Sequence, residues 1–324
     1  MLLLPLVLLL ACSGAMQNVL PEADWQSAYQ RNHVLTGRIL RSADGAFIDE
    51  KTLLQELSTA AYLLLGEKHD NPDHHRLRHR LLQELIKRDE VAAISLEMLD
   101  SSQSAALTSV IDAGLDTAGQ VRNALDWDEG WTWEYYAPSI MLALQHQLPL
   151  LAANLSAEEV MAHYTGSSAD SADFAESPYA NILMGEQLTL LQTEIRASHC
   201  DMLPESQLPA MLRVQQARDW RMARSLQQGQ QLAGQAGKAG ASVLLAGNFH
   251  IRRDLGVPAY LVRNAEYGGE DVLSVAWLEV DASVSDPALY LDSISGQGDF
   301  DYIWFTPVSS QEDYCSSLRS AAAF

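Results

Sequence analysis

The stretch Ala61–Tyr62–Leu63–Leu64–Leu65–Gly66–Glu67–Lys68–His69–Asp70–Asn71–Pro72 constrains this chain more tightly than any other. Its uninterrupted apolar run, Ala61–Leu65, suits a strand buried on both faces, as in parallel sheets. A glycine stops the run, and Glu67 and His69 follow at once. Asn71 can cap a helix with Pro72 in its first position, where the missing N–H costs nothing. That helix should run to about Arg88, with Leu77, Leu81, Leu82, Leu85 and Ile86 as its apolar stripe. A second apolar strand, Val91–Leu96, then ends at Glu97. Strand, helix and strand in this short span make a βαβ unit. Ligands of open α/β sheets bind beyond the carboxyl ends of the strands. Glu67, His69 and Glu97 are all placed there.

The remaining segments extend the pattern. Val34–Ile39 reads as an edge strand, Ala43–Asp44–Gly45 as a turn, and Thr52–Leu57 as a short helix. Ser101–Leu148 is mainly helical, interrupted by Gly114, Gly119 and the segment Asp126–Trp133, which holds Trp127, Trp131 and Trp133. Those tryptophans form either a core knot beneath a loop or one wall of a flat apolar pocket. Pro149–Ala153 is a third buried strand, ending at Asn154. Residues 156–232 read as helices around a Ser/Ala/Asp-rich loop, Ser167–Pro178, with a long amphipathic helix over Gln207–Gln231. So long a crossover predicts a helical subdomain grafted on the sheet. Gly234–Gly240 leads into the strand Ala241–Ala246, and Val272–Val280 and Tyr302–Phe305 are further strands. The expected fold is therefore α/β, a mostly parallel sheet flanked by helices with a smaller helical subdomain. Residues 33–155 and 233–283 would form the sheet domain with a helical excursion at 101–148, residues 156–232 the subdomain, and 284–324 a C-terminal extension.

Composition narrows the function. The 324 residues are 48% hydrophobic, enough for a sizeable core, and carry a formal charge of −21. That charge argues against nucleic acid, which needs a basic footprint, and against docking on anionic lipid by charge. Met1–Ala11 is almost wholly apolar yet too short to span a bilayer, and reads as a signal-peptide core. It lacks the usual Lys or Arg ahead of that core. Leu9–Leu10–Ala11–Cys12 looks like a bacterial lipobox, making Cys12 the lipid-bearing residue, and Ser13 after it resembles outer-membrane sorting. Residues 13–32 would then be a tether. Cys200 and Cys315 remain; they could pair in an oxidising compartment, but no zinc-type cysteine spacing exists.

The chemistry concentrates at the strand ends. Gly66–Glu67–Lys68–His69 is echoed by Gly247–Asn248–Phe249–His250 after another strand. With Glu97 and Glu67, the two histidines could hold a divalent metal with an open position or perform acid–base catalysis. Equally, His69 and His250 could cap helices and join Glu97 in a structural polar network. His75 and His79 are four apart, but their neighbours Arg76, Arg78 and Arg80 favour a solvated face. His74, nearer the strand end, better suits support of the corner. Arg252 and Arg253 could hold a carboxylate, a phosphate or a haem propionate. No Gly-x-Ser-x-Gly elbow, Walker loop, Rossmann fingerprint or His-Glu-x-x-His helix is present.

Several of these pieces together resemble the ChaN-like, iron-regulated haem-binding uptake lipoproteins of bacteria. They are Leu64–His75, Ser95–Met98, the three tryptophans, Pro149–Asn154, Glu194–Cys200, Gln215–Asp219 and Gly247–Pro258. Lys68 and Phe249 depart from the family's usual Gln and small residue. The resemblance implies haem as ligand and an outer-membrane lipid anchor; a haem receptor or transporter could be the partner, and a non-catalytic uptake role is the first expectation, with enzymatic activity left open. It also implies a homodimer with haem held between protomers through tyrosine, an anionic ligand suited to ferric iron. Tyr164 beside His163 is one candidate ligand, and Tyr179, Tyr135 and Tyr136 are others; each could instead be an ordinary core tyrosine. Arg253 is the candidate for a propionate. The wider superfamily contains Tiki-like metal-dependent proteases and erythromycin-esterase-like hydrolases. Likeness to them leaves open a metal-dependent hydrolase using His69, Glu97 and His250, with Glu67 as base.

Overall fold

A computed structural model describes residues 24–167, 177–262, 271–291, 299–316 and 319. The strands are β1 (Ile39–Arg41), β2 (Ala46–Ile48), β3 (Tyr62–Leu65), β4 (Val91–Asp100), β5 (Leu150–Asn154), β6 (Ala241–Leu245), β7 (Val272–Glu279) and β8 (Tyr302–Thr306). They form one sheet in the order β2-β1-β8-β7-β3-β6-β4-β5. From β8 to β5 every pairing is parallel, while β1 runs antiparallel to β8 and β2. The helices are α1 (Glu50–Leu57), α2 (Pro72–Lys87), α3 (Ser104–Asp112), α4 (Ala118–Ala124), α5 (Trp133–Gln145), α6 (Ala157–Thr165), α7 (Glu186–Ser198), α8 (Leu208–Gln235) and α9 (Val257–Val262).

Successive strand side chains point to opposite faces, and here both faces are buried. Leu63 and Leu65 enter a core shared with α1, α2 and α5, whereas Tyr62 and Leu64 enter one shared with α7, α8 and α9. Val243 and Leu245 divide from Leu244 in the same way, as do Tyr302 and Trp304 from Ile303 and Phe305. An apolar run with no polar alternation is what a sheet covered by helices on both sides requires.

The helix after β3 starts as its sequence dictates. Asn71 Oδ1 accepts from the N–H groups of Asp73 and His74 at 2.9 and 3.3 Å, with Pro72 at the first helical position. In the 156–232 region, α8 lies directly on β4, β5 and β6. Gly229 permits that approach, because a Cβ there would sit 2.4 Å from Ser242 Oγ and 3.0 Å from Ala93 Cβ.

Some boundaries differ from the sequence expectation. The edge strand read at Val34–Ile39 is β1 at Ile39–Arg41. Gly37 adopts φ 83° there and donates to the Phe305 carbonyl, so the chain turns before it extends. The strand β4 runs past Leu96 to Asp100, following β5 across a register shift. Residues 302–306, within the 284–324 segment, form β8 between β7 and β1, so this segment supplies an interior strand. Cys200 and Cys315 are disulfide-bonded, with Cα atoms 5.3 Å apart. The signal stretch 1–12 with Cys12, the tether up to residue 23, and residues 168–176 of the polar loop lie outside the described residues. No described helix is long and apolar enough to cross a membrane.

Candidate functional site

Because β3, β6, β4 and β5 are adjacent and parallel, their carboxyl ends open on one side of the sheet. The two glycine–histidine turns meet there. A Cβ on Gly66 would lie 2.2 Å from Asn248 Oδ1 and 2.5 Å from Ile251 Cδ1; one on Gly247 would lie 3.0 Å from His69 Nε2. The backbone N–H of Asn248 donates to the Glu67 carbonyl at 2.8 Å, and the Asn248 side chain donates to the Trp277 carbonyl at 2.7 Å. The glycines are therefore required by the closeness of the turns to each other.

Glu67 is the hub of the first half. Its carboxylate is buried and accepts from Tyr136 Oη at 2.9 Å; His69 Nδ1 lies 2.9 Å away and His75 Nε2 2.8 Å away. Beneath them Arg78, 1% exposed, brings Nη1 within 3.5 Å of Glu67 Oε1. Burial alone would raise the Glu67 pKa, but Arg78, His69 and His75 outweigh it and hold the carboxyl well below its usual range. For His69, burial works against protonation, and the carboxylates of Glu67 and Glu97 more than offset it, raising the pKa. Lys68 N–H donates to His74 Nδ1 at 2.8 Å, and His74 Nε2 meets Thr306 Oγ1 at 2.7 Å. Burial pushes His74 down to about 3, so it is a neutral brace for the turn.

The second half is a buried relay from β4 to α8. Glu97 Oε2 accepts from the Gly247 N–H at 2.7 Å, and His250 Nε2 lies 3.4 Å from Glu97 Oε1. The other ring nitrogen, Nδ1, is 2.6 Å from Asp219 Oδ1, and Gln215 Nε2 donates to Asp219 Oδ2 at 3.1 Å. Burial would neutralise His250, yet Glu97 and Asp219 together raise its pKa. Burial likewise pushes Glu97 up, and His250, His69 and the Gly247 N–H bring it below its usual value. For Asp219, burial dominates over His250 and the net shift is upward.

Both halves face a cavity of about 1250 Å³. One wall is Trp131, whose ring meets His69 at 4.8 Å between centroids. The opposite wall comes from α6, α7 and α8, with Val160, Met161, Tyr164, Ile195, Met211, Val214 and Arg218. Phe249 and Lys68 also border it, with Lys68 Nζ 3.0 Å from Glu279 Oε2.

Glu67, His69, Glu97 and His250 are thus brought together, as the motif echo predicted. Among the described residues no three His, Cys, Asp or Glu side chains are grouped so as to hold a metal ion. These carboxylates and imidazoles have partners of their own: Glu67 is ion-paired with Arg78 and accepts from Tyr136, and His250 faces Asp219 at Nδ1 and Glu97 at Nε2. Tyr164 lines the cavity. His163 is buried behind it, its Nδ1 2.9 Å from Tyr179 Oη. Arg253 is elsewhere: it pairs with Asp301 beside a depression bordered by Glu56 and Tyr302. The tryptophans divide between the two readings, Trp127 and Trp133 packing edge to face in the core while Trp131 borders the cavity.

Sequence reasoning misplaced His75 and Arg78, which point inward and not to solvent. Helix α2 presents its apolar stripe and its Glu67 partners on one inner surface, and helical spacing of Pro72, His75 and Arg78 was the available signal. Asp219 and Tyr136 lacked any local signal, since their partners lie 31 and 69 residues away.

A parallel sheet with a polar corner at its carboxyl edge and a large, partly apolar cavity above it defines a ligand-binding α/β protein of the open-sheet kind. The chain belongs to the haem-binding uptake family ChaN of the Tiki superfamily, whose family model matches residues 53–261. A structure of Campylobacter jejuni ChaN with cofacially bound haem is similar at 23% identity and TM-score 0.62, covering 82% of this chain and 95% of that one. Erythromycin esterase EreC, a mutant in its open conformation, is more distant: 13% identity and TM-score 0.43, over 82% of this chain and 95% of that one. These likenesses describe fold. Comparison with curated proteins gives no match.

Proposed function

We propose that this protein binds haem in the cavity above the carboxyl edge of the sheet, through Tyr164, as a lipid-anchored component of haem uptake. The observation that carries this reading is the state of Tyr164. Among the described residues it is the one tyrosine on the cavity wall, and its phenol has no hydrogen-bond partner. The other candidates are engaged: Tyr136 donates to Glu67, Tyr179 meets His163, and Tyr135 stacks on His75 at 4.3 Å. The cavity exceeds the ~300–1,000 Å³ of small-ligand sites, and Val160, Met161, Met211 and Val214 give a macrocycle an apolar face. Haem bound there supplies an iron centre that a phenolate stabilises in the ferric state. Arg213 fixes the ligand's position, donating to the carbonyls of His163 and Tyr164 at 3.0 and 2.8 Å and so fastening the end of α6 to α8.

The dimer and the anchor belong to the same proposal. A face-to-face pair of protomers would close the open side of the cavity over haem. Of the three cysteines, Cys200 and Cys315 are joined, leaving Cys12 for lipidation at the outer membrane. The disulfide itself suits an oxidising compartment. A haem receptor or transporter is the corresponding partner. The test is haemin titration of the full chain in detergent, with mass measured by sedimentation. A saturable shift of the Soret band with a two-protomer species supports the reading; a spectrum that stays that of free haemin refutes it.

The paired imidazoles and carboxylates favour one further reading, hydrolysis at the strand-end corner, with Glu97–His250–Asp219 able to move a proton. A divalent metal at His69, Glu97, His250 and Glu67 is the form of this reading that elemental analysis tests. Stoichiometric metal, lost in His69→Ala, would support it; metal-free protein would end it.

A further inference from the structure

Among the described residues, one cation on the walls of the cavity has no counter-charge. Arg218, on α8, is half-buried on the cavity wall, its Nε is sealed from solvent without a hydrogen-bond partner, and it makes no ion pair among the described residues. The neighbouring cation Lys68 is held by Glu279 and Asp70. The anions around the cavity are committed as well. Glu194 pairs with Arg252, Glu67 with Arg78 and the histidines, and Glu97 with Gly247 and His250. Asp100 and Asp128 accept from the backbone N–H groups of Ser102 and Gly130.

Acidic residues outnumber basic ones in the chain, 42 to 21. An orphaned buried donor costs free energy unless a partner arrives. Position strengthens the point. Residues Met211, Val214, Gln215 and Arg218 recur at helical spacing on the face of α8 toward the cavity, and Met161 and Tyr164 do so on α6. Apolar contacts, a phenol and a guanidinium therefore share one wall.

We propose that Arg218 is the anion subsite of this cavity and pairs with a carboxylate at the edge of the macrocycle held by Tyr164. This assignment rests on the haem reading above. Arginine suits the role because its planar fork matches a carboxylate two bonds at a time.

The experiment compares haemin with its dimethyl ester, which lacks free carboxylates, on the full chain in one detergent. Wild-type protein is expected to bind haemin at least tenfold more tightly than the ester. Arg218→Gln should lose about tenfold in haemin affinity and bind both compounds alike, whereas Arg218→Lys should recover part of the preference. A general folding defect would weaken both compounds together in the Gln and Lys variants, and that result overturns the assignment. So does an Arg218→Gln variant that still prefers haemin as wild type does. If wild-type protein binds neither compound, the haem reading fails and this assignment fails with it. Haemin binding by wild type with no ester preference refutes the subsite alone.

Discussion

Replacing Glu67 by glutamine tests the network that organises the corner. The amide can still accept from Tyr136 Oη, now at 2.9 Å, but no charge remains to face Arg78. Arg78 is 1% exposed, and its Nε and Nη1 have no hydrogen-bond partner, so water cannot compensate. Removing one partner of a buried pair costs about 3–5 kcal/mol, and the retained neutral bond places this substitution near the lower figure, ~3 kcal/mol. For a protein of this size that is a fall of roughly 6 °C in melting temperature, at about 2 °C per kcal/mol. The assay is thermal unfolding by circular dichroism of wild type, Glu67→Gln, Arg78→Met and the double variant. The double variant removes the orphaned charge, so it should be no less stable than Glu67→Gln alone, a coupling of about 1–3 kcal/mol. Strict additivity, or a Glu67→Gln protein that melts within about 1 °C of wild type, would refute the reasoning.

Two further outcomes follow from the same geometry. Gly66→Ala should destabilise by about 1–3 kcal/mol or more, because its Cβ meets Asn248 and the fully buried Ile251 at 2.2 and 2.5 Å; urea unfolding unchanged from wild type would contradict the interlocked turns. Stability should also fall at both pH extremes. Burial opposes protonation of His250, but Glu97 and Asp219 raise its pKa to about 10, so its contribution is complete below its ordinary 6.5 and is lost as pH rises toward 10. Glu67 and Glu97 are lowered from 4.5, so their contribution is present above that value and is lost as pH falls below it. Unfolding free energies across pH check this, and His250→Gln should flatten the alkaline limb.

Much of the framework was legible because it is local. Apolar runs without alternation announced a sheet covered on both faces, and Asn71–Pro72 announced the helix that follows β3. The repeated glycine–x–x–histidine pointed to two neighbouring strand ends, and β3 and β6 are in fact paired. What escaped notice depends on distance in the chain. Asp219 reaches His250 from the middle of a helix, and nothing in Gln215–Asp219 distinguishes an inward carboxylate from a solvated one. Flanking arginines made α2 look wetted around His75, whereas Arg78 is drawn inward by the buried charge of Glu67. Residue types suited to ligation were legible in the sequence, but their pairing with one another across the corner was not. Tyr164 and Arg218 were separable from other tyrosines and arginines only once the cavity showed which side chains are left without partners.

Haem uptake by this cavity through Tyr164 is the proposal on which the rest depends. Its most direct measurement is the visible spectrum of haemin-loaded full chain, wild type against Tyr164→Phe. Wild type should show the charge-transfer absorption of a ferric phenolate complex and the variant should lose it, with circular dichroism of the apoprotein unchanged. Identical spectra in the two proteins would contradict it.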